Sequence, residues 1–459
     1  HLSPAVIATA GIVVVLSLAV IDAALRGPWL DEFWTLELAD SRDGWLRDPH
    51  PPIFNAWASL LASLGVTSIP AGRLVSNLLA AALLIVAALR VSRRTPADAA
   101  FAACLLLLVL PLPQAMESFG LYRSYYWQMM AVGALALIAH RVAVAESDLH
   151  WRRDADLAAV AILATTGAIG LHYVSGLFGG LLAGAIALSA IARGLRRWAA
   201  LMLASAALST LFVLAVFAVQ APRWAVEFDH SWIDLPAFAA LGVVVALATA
   251  PLWLNPVALL GLRRATGARH ASEARLAAML GVALLGGVAV VLAVHAARPI
   301  VVDRYLFAVP VLVAALMAVP AARIAQDRLL FGLLALLAMV GAARPLVETG
   351  IKPLWREDAR TIAGIVAGCP TTAVYAASGW ALGPAAHTRM ARREDPVFER
   401  AYRSLAAEQG YTVRFIGQGG GAHATPGACP VLLWYAHTPN DAENDLPAAI
   451  EAASLTGLE

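Results

Sequence analysis

PAVIATAGIVVVLSLAVIDAAL, residues 4–25, is a long apolar run that stops abruptly at Arg26-Gly27-Pro28-Trp29-Leu30-Asp31-Glu32-Phe33-Trp34-Thr35. Roughly 20 apolar residues in helical conformation cross the hydrocarbon core of a bilayer. The run therefore reads as a membrane span. No small-residue cleavage site follows a short core, so the span is read as retained and not as a removed signal. The chain begins at His1 without a methionine, and its start is read as processed or trimmed. At the outer mouth of this span stand two adjacent carboxylates, Asp31 and Glu32. Ionisable groups at membrane depth are costly and tend to mark function.

Working outward, apolar windows of spanning length recur about eleven times. They lie near 4–25, 72–90, 97–113, 124–140, 157–171, 174–192, 199–219, 237–260, 275–295, 304–320 and 328–344. The 459 residues are 60% hydrophobic and 14% charged. Soluble domains carry about 25% charged residues, so the composition predicts an α-helical polytopic membrane protein embedded in the lipid bilayer. A net charge of +2 offers nothing for nucleic-acid binding. Alternate loops divide by charge: Arg90/Arg93/Arg94, Arg141/Arg152/Arg153, Arg193/Arg196/Arg197, Arg263/Arg264/Arg269/Arg275 and Arg323/Arg328 all fall on one side. The positive-inside rule makes that side cytoplasmic. The acidic loop 26–71 and everything after about 345 are then expected outside. The Ala-, Gly- and Arg-rich composition points to a bacterial chain, hence to the cytoplasmic (inner) membrane with a periplasmic or extracellular outer face.

From about Pro345 the pattern changes. Short β-like runs (Thr372–Ala376, Tyr411–Ile416, Val431–Tyr435) alternate with turn residues, and Glu357–Ala367 reads as a helix. The expected division is a transmembrane part, 1–345, and a small extracytoplasmic α/β domain, 346–459. Gly417–Gly421 reads as a flexible loop, without the following helix that a phosphate-cradling loop needs. Of three cysteines, Cys104 lies in an apolar run and reads as a small buried hydrophobe. For Cys369 and Cys429 a disulfide and two free thiols both stand open.

Groups suited to a charged, sugar-like substrate crowd the outer loops. Loop 26–71 holds Asp31, Glu32, Asp48 and His50 with Trp29, Trp34 and Trp45, and its 29–46 stretch has the spacing of an interfacial amphipathic helix. The tryptophans fit an interface belt. The Asp31-Glu32 pair fits either a helix N-terminus, where carboxylates are favoured, or catalysis; the catalytic reading is adopted. Glu117 and Tyr122-Arg123-Ser124-Tyr125-Tyr126 follow, then His172-Tyr173, Arg223 with Glu227, Asp229 and His230, and Arg298 with Asp303-Arg304-Tyr305. Outward arginines run against the charge bias. A lipid phosphate would explain them as a set, since the guanidinium fork matches phosphate oxygens, although any single one could instead pair with a nearby carboxylate. His50, His172 and His230 with Asp48 lack the tight spacing of a metal site.

The order Trp-Leu-Asp-Glu-Phe-Trp-Thr (29–35), Asp-Pro-His-Pro-Pro-Ile-Phe (48–54) and Ala-Gly-Arg-Leu-Val-Ser-Asn (71–77) resembles the polytopic GT-C glycosyltransferases. It is most similar to the branch containing protein O-mannosyltransferases, the lipid A aminoarabinose transferase and lipopolysaccharide-core galacturonosyltransferases. His172-Tyr173, Asp303-Arg304-Tyr305-Leu306 with Pro310, and Trp355-Arg356 match later positions of that branch. The resemblance covers about 1–360 and implies transfer of a sugar from a polyprenyl-phosphate carrier to an outer acceptor, usually with inversion. The acceptor would be a glycolipid, lipopolysaccharide, a cell-wall glycan or a protein. It implies Asp31 as general base, Glu32 as its support or as an acceptor-positioning group, and Arg304, Arg123 and Arg73 as holders of the donor phosphate. Asp48, His50, Tyr122, His172, Tyr173 and Tyr305 would position donor or acceptor. At His50 some relatives have an acidic residue, which leaves the second polar partner open between His50 and Asp48. Use of Mg or Mn also stays open, because a metal could bridge Asp31 to the phosphate and arginines could neutralise it without one. A lipid or polysaccharide transporter would need polar residues in mid-span and access to both faces, whereas the helix interiors are nearly free of charge and the polar groups crowd the outer side. An inactive membrane scaffold leaves the acidic loop unexplained.

Overall fold

The computed structural model describes residues 3–41, 44–48, 50–227, 235–264, 270–347, 355–378, 389–416 and 429–436. Asp229, His230, Arg269 and the Gly417–Gly421 run lie outside them, as do the side chains of Arg223 and Glu227. The chain forms two compact units. One comprises His1–Arg26, Asp48–Val219 and Ile233–Thr349; the other comprises Gly27–Arg47, Gln220–Trp232 and Gly350–Glu459.

The first unit is helical. Every apolar window of the sequence becomes helix: α1 Pro4–Leu25, then, after α2 Leu30–Asp40 and α3 Gly44–Arg47 of the other unit, α4 Ile53–Ser63, α5 Ile69–Ser92, α6 Pro96–Val109, α7 Pro113–Phe119, α8 Tyr125–Val144, α9 Ala155–Gly170, α10 Tyr173–Ala192, α11 Arg196–Glu227, α12 Ala237–Leu254, α13 His270–Ala297, α14 Ala308–Ile324 and α15 Arg328–Val347. Among the described residues nine helices are long and apolar enough to cross a membrane. The window at 97–113 is not one straight span: α6 and α7 meet at 70°. Pro111 and Pro113 break the helix there, since proline lacks the N–H that the ladder needs. The amphipathic stretch 29–46 likewise divides into α2 and the single turn α3, where Gly44 starts so close above the Leu38 carbonyl that a Cβ would stand 2.1 Å from the oxygen. Helix α4 was not anticipated; Pro51-Pro52 end the preceding loop and Pro52 stands at its N-cap.

Helices α8 and α14 are apolar on all sides and run through the interior of the first unit, while most others turn an apolar face outward. The basic loops are tied to helix ends. Arg193 donates to the carbonyls of Val142 and Ala145, and Arg275 to that of Ala143 at 2.9 Å, where α8 runs out of hydrogen-bond partners. Arg94 pairs with Asp154 at 2.9 Å and Asp156 at 2.8 Å, and Arg323 with Glu273.

The second unit holds α2 and α3 together with α16 Trp355–Gly368, β1 Ala373–Ser378, α17 Arg389–Glu408, β2 Arg414–Phe415 and β3 Val431–Ala436. The strands form a parallel sheet in the order β2-β1-β3, with Tyr375 opposite Arg414 and Leu433. Parallel neighbours need a crossover, and α17 supplies it from β1 to β2. Val374 through Ala377 are buried without alternation, as in a strand covered on both faces. Trp355 stacks on Tyr402 at 5.6 Å, Trp434 meets Tyr402 edge-on at 4.7 Å, and the Tyr402 hydroxyl donates to the Ala377 carbonyl at 3.0 Å. Cys369 and Cys429 form a disulfide that fastens the end of α16 beside the start of β3.

Candidate active site

In the first unit the fold gathers four distant loops. His50 lies just before the Pro51-Pro52 turn into α4. His172 stands at the N-cap of α10, where its Nδ1 accepts the Ser175 N–H at 3.4 Å. Tyr305 belongs to a 3-10 turn, Asp303–Leu306, and its carbonyl accepts the Ser175 hydroxyl. Tyr125 opens α8. The rings form one cluster: His50 to His172 is 4.5 Å between centroids, His172 to Tyr305 4.6 Å, His50 to Tyr305 5.8 Å and His172 to Tyr125 5.9 Å. Because the Nδ1 of neutral His172 accepts, the proton sits on Nε2. That buried nitrogen has no hydrogen-bond partner among the described residues.

Two guanidinium groups charge this pocket. Arg123 lies 5.9 Å from the Tyr125 ring and Arg304 5.7 Å from the Tyr305 ring. Burial, then Arg123 and Arg304, hold His50 well below the usual imidazole range. His172 is lowered in the same way, by burial first, then by His50 and the two arginines. Neutral imidazoles beside fixed cations make a positively charged cluster, suited to an anion. Asp48 is buried and accepts from the Asn55 side chain at 2.8 Å. This donor set does not fit a divalent cation: among the described residues no three His, Cys, Asp or Glu converge, and the histidine pair faces two positive charges.

Other expected residues have different neighbours. Arg73 is fully buried and donates to the carbonyls of Ala23 at 3.1 Å and Arg26 at 2.8 Å, closing the end of α1. Tyr122 is buried on α5 where Gly72 makes room; a Cβ there would lie 2.8 Å from its ring, and burial pushes its hydroxyl up to about 12. Tyr173 meets Phe217 edge-on at 5.4 Å.

Asp31 and Glu32 are found in the second unit, in the first turn of α2. They separate in role. Glu32 is fully buried, and its carboxylate accepts the Trp29 backbone N–H at 2.9 Å, the back-reaching half of a capping box. Asp31 is half-buried, and its carbonyl accepts the Thr35 hydroxyl at 3.1 Å. Ser175 and Asn55 were not singled out from sequence. A serine three residues past His172 is the signal for the cap, and Asn55 gave none.

No protein-family profile matches the chain, and no curated protein resembles it in sequence. Solved structures do. The chain is similar to the crystal structure of ArnT from Cupriavidus metallidurans in the apo state, with a TM-score of 0.54 and 14% identity over 89% of this chain and 85% of that one. It is also similar to the same protein bound to undecaprenyl phosphate, with a TM-score of 0.55 and 14% identity over 89% and 86%. The chain has the GT-C fold.

Proposed function

We propose that this GT-C-fold protein is a membrane glycosyltransferase that moves a sugar from a polyprenyl-phosphate donor to a hydroxyl of an extracytoplasmic acceptor. The acceptor class is a glycolipid, lipopolysaccharide or cell-wall glycan. The observation that carries the reading is the positively charged cluster of Arg123, Arg304, His50 and His172 in a chain with the fold of a protein solved with undecaprenyl phosphate. Asp31 acts as general base: it accepts the proton as the acceptor oxygen bonds to the anomeric carbon. The bond from that carbon to the phosphate oxygen breaks on the opposite face, so the configuration inverts. The leaving group gains a second negative charge. Arg123 and Arg304 balance it, and His172 Nε2–H adds an uncharged donor. Glu32 holds the first turn of α2 in shape. Arg73 keeps the end of α1 closed and is not assigned to the phosphate. No step runs through a metal.

The test is turnover of purified protein with a panel of radiolabelled undecaprenyl-phosphate sugars, wild type against Asp31→Asn. Sugar release or transfer by wild type alone is the expected result. Wild-type turnover in the variant removes Asp31 as base; no turnover of any donor by wild type favours a membrane scaffold.

A further inference from the structure

The 27–47 segment, which carries the two carboxylates, clusters with the sheet-bearing C-terminal elements. Helix α2 has 11 residues. Isolated helices shorter than about 12–15 residues are marginal in water, so its order has to come from what it packs against. Within this unit α2 packs on α17 and on α3. Glu32, Phe33, Trp34, Thr35 and Leu38 are buried. On its outer turns Glu37 and Asp40, three residues apart and so neighbours on one face, are bridged by a single guanidinium. Arg400 of α17 donates to Glu37 at 3.1 Å and to Asp40 at 3.0 Å. Farther along, the buried Gln220 side chain donates to the Trp45 carbonyl of α3.

From these contacts we infer that the C-terminal domain is a positioning device for α2, with Arg400 as its positioning residue. A one-sided fork spanning one helical turn fixes rotation about the helix axis as well as distance, which one point contact does not. Rotation of α2 would carry Asp31 around with it. Displacements of about 1 Å from a productive geometry can cost about a hundredfold in rate. Exposed ion pairs are individually weak, however, and Arg400 is partly exposed. Its effect is therefore expected on the chemical step and not on whether the protein folds. This inference rests on Asp31 being the base.

The experiment uses the full chain in lipid nanodiscs, with the undecaprenyl-phosphate sugar that wild type turns over as probe. Arg400→Glu should lower kcat about tenfold, leave donor KM unchanged, and speed hydrogen exchange of the 30–40 amides. Glu37→Arg combined with Arg400→Glu restores one pair of reversed polarity and should recover most of the kcat, whereas a loss of general folding would not be recovered. Arg400→Lys, which keeps the charge but not the fork, should fall between. Unchanged kcat in Arg400→Glu, or a loss that the reversed pair does not recover, overturns the inference. If Asp31→Asn is inactive while Arg400→Glu matches wild type, positioning fails and the base assignment stands. If Asp31→Asn is active, the functional reading fails, and this inference falls with it.

Discussion

The two histidines and the two carboxylates are held by different means. His50 and His172 lie among the starts of helices, met edge-on or at a tilt by the rings of Tyr125 and Tyr305 and flanked by guanidinium groups. Asp31 and Glu32 stand on a helix of 11 residues that Glu32 caps and that packs on α17. The positive pocket is a property of the helical bundle, and its electrostatics are set once the bundle packs. The carboxylate helix is short and packs, within the second unit, on an element formed near the other end of the sequence.

The sharpest way to break this comparison is at Asp31. Asp31→Asn should reduce transfer by about a thousandfold, within the range of a lost general base, with an unchanged Tm because the group is half-buried. A fall in Tm matching the loss of rate would make Asp31 a structural residue like its neighbour. Next in size is the pocket. Arg304→Ala should weaken binding of undecaprenyl phosphate by about ten- to hundredfold, as for a lost hydrogen bond to a charged group, measured by calorimetry. Unaltered affinity would move the phosphate elsewhere.

Glu32 sharpens the contrast within the carboxylate pair. Glu32→Ala should cost about 1 kcal/mol of stability through the lost cap, read as a lower denaturation midpoint, while Glu32→Gln, which still accepts from Trp29, should keep stability and turnover. Loss of turnover in Glu32→Gln at full stability would give Glu32 a chemical task. The smallest effect is the pH dependence of the pocket. Both imidazoles are held below the usual value of about 6.5, so the unfolded chain binds protons that the folded chain refuses. Stability is then fully present above that value and declines as pH falls below it. Tm should drop between about pH 7 and 5.5, and the drop should be shallower in the His50→Gln/His172→Gln double variant. An equal slope in both would place the titration elsewhere.

Membrane helices were legible because a bilayer demands length and apolarity, and both are local properties. All eleven windows became helix, and the departures are local too: a proline-broken span at 97–113 and a 16-residue helix at 155–170. In the C-terminal part the strands were visible as β-branched runs, whereas α17 was not. Its buried positions Val397, Phe398, Ala401, Tyr402, Leu405 and Ala406 recur at helical spacing, but Pro396 and a dense set of charges conceal the pattern. For the disulfide, sequence left both states open and the fold brought the two sulfurs together. Within the site, residue types were legible and company was not. His50 and His172 were each singled out, yet nothing local says that their rings meet. Arg73 and Arg304 look alike in sequence, but nothing local says that Arg73 is fully buried and donates to the carbonyls of Ala23 and Arg26.

The Arg400–Glu37 contact joins residues 363 positions apart, and that separation has a consequence for biosynthesis. Chain closure over such a length costs little more entropy than over a shorter one, because the cost rises only with the logarithm of length. What it costs is time. A nascent chain has made the nine candidate spans found among the described residues before α17 is translated. Through that interval the cluster of His50, His172 and the two arginines can form while α2 still lacks α17. On the proposed assignment of Asp31, competence for transfer is thus the last thing the chain acquires, and a chain cut short before residue 389 leaves a product whose α2 lacks the Arg400 fork.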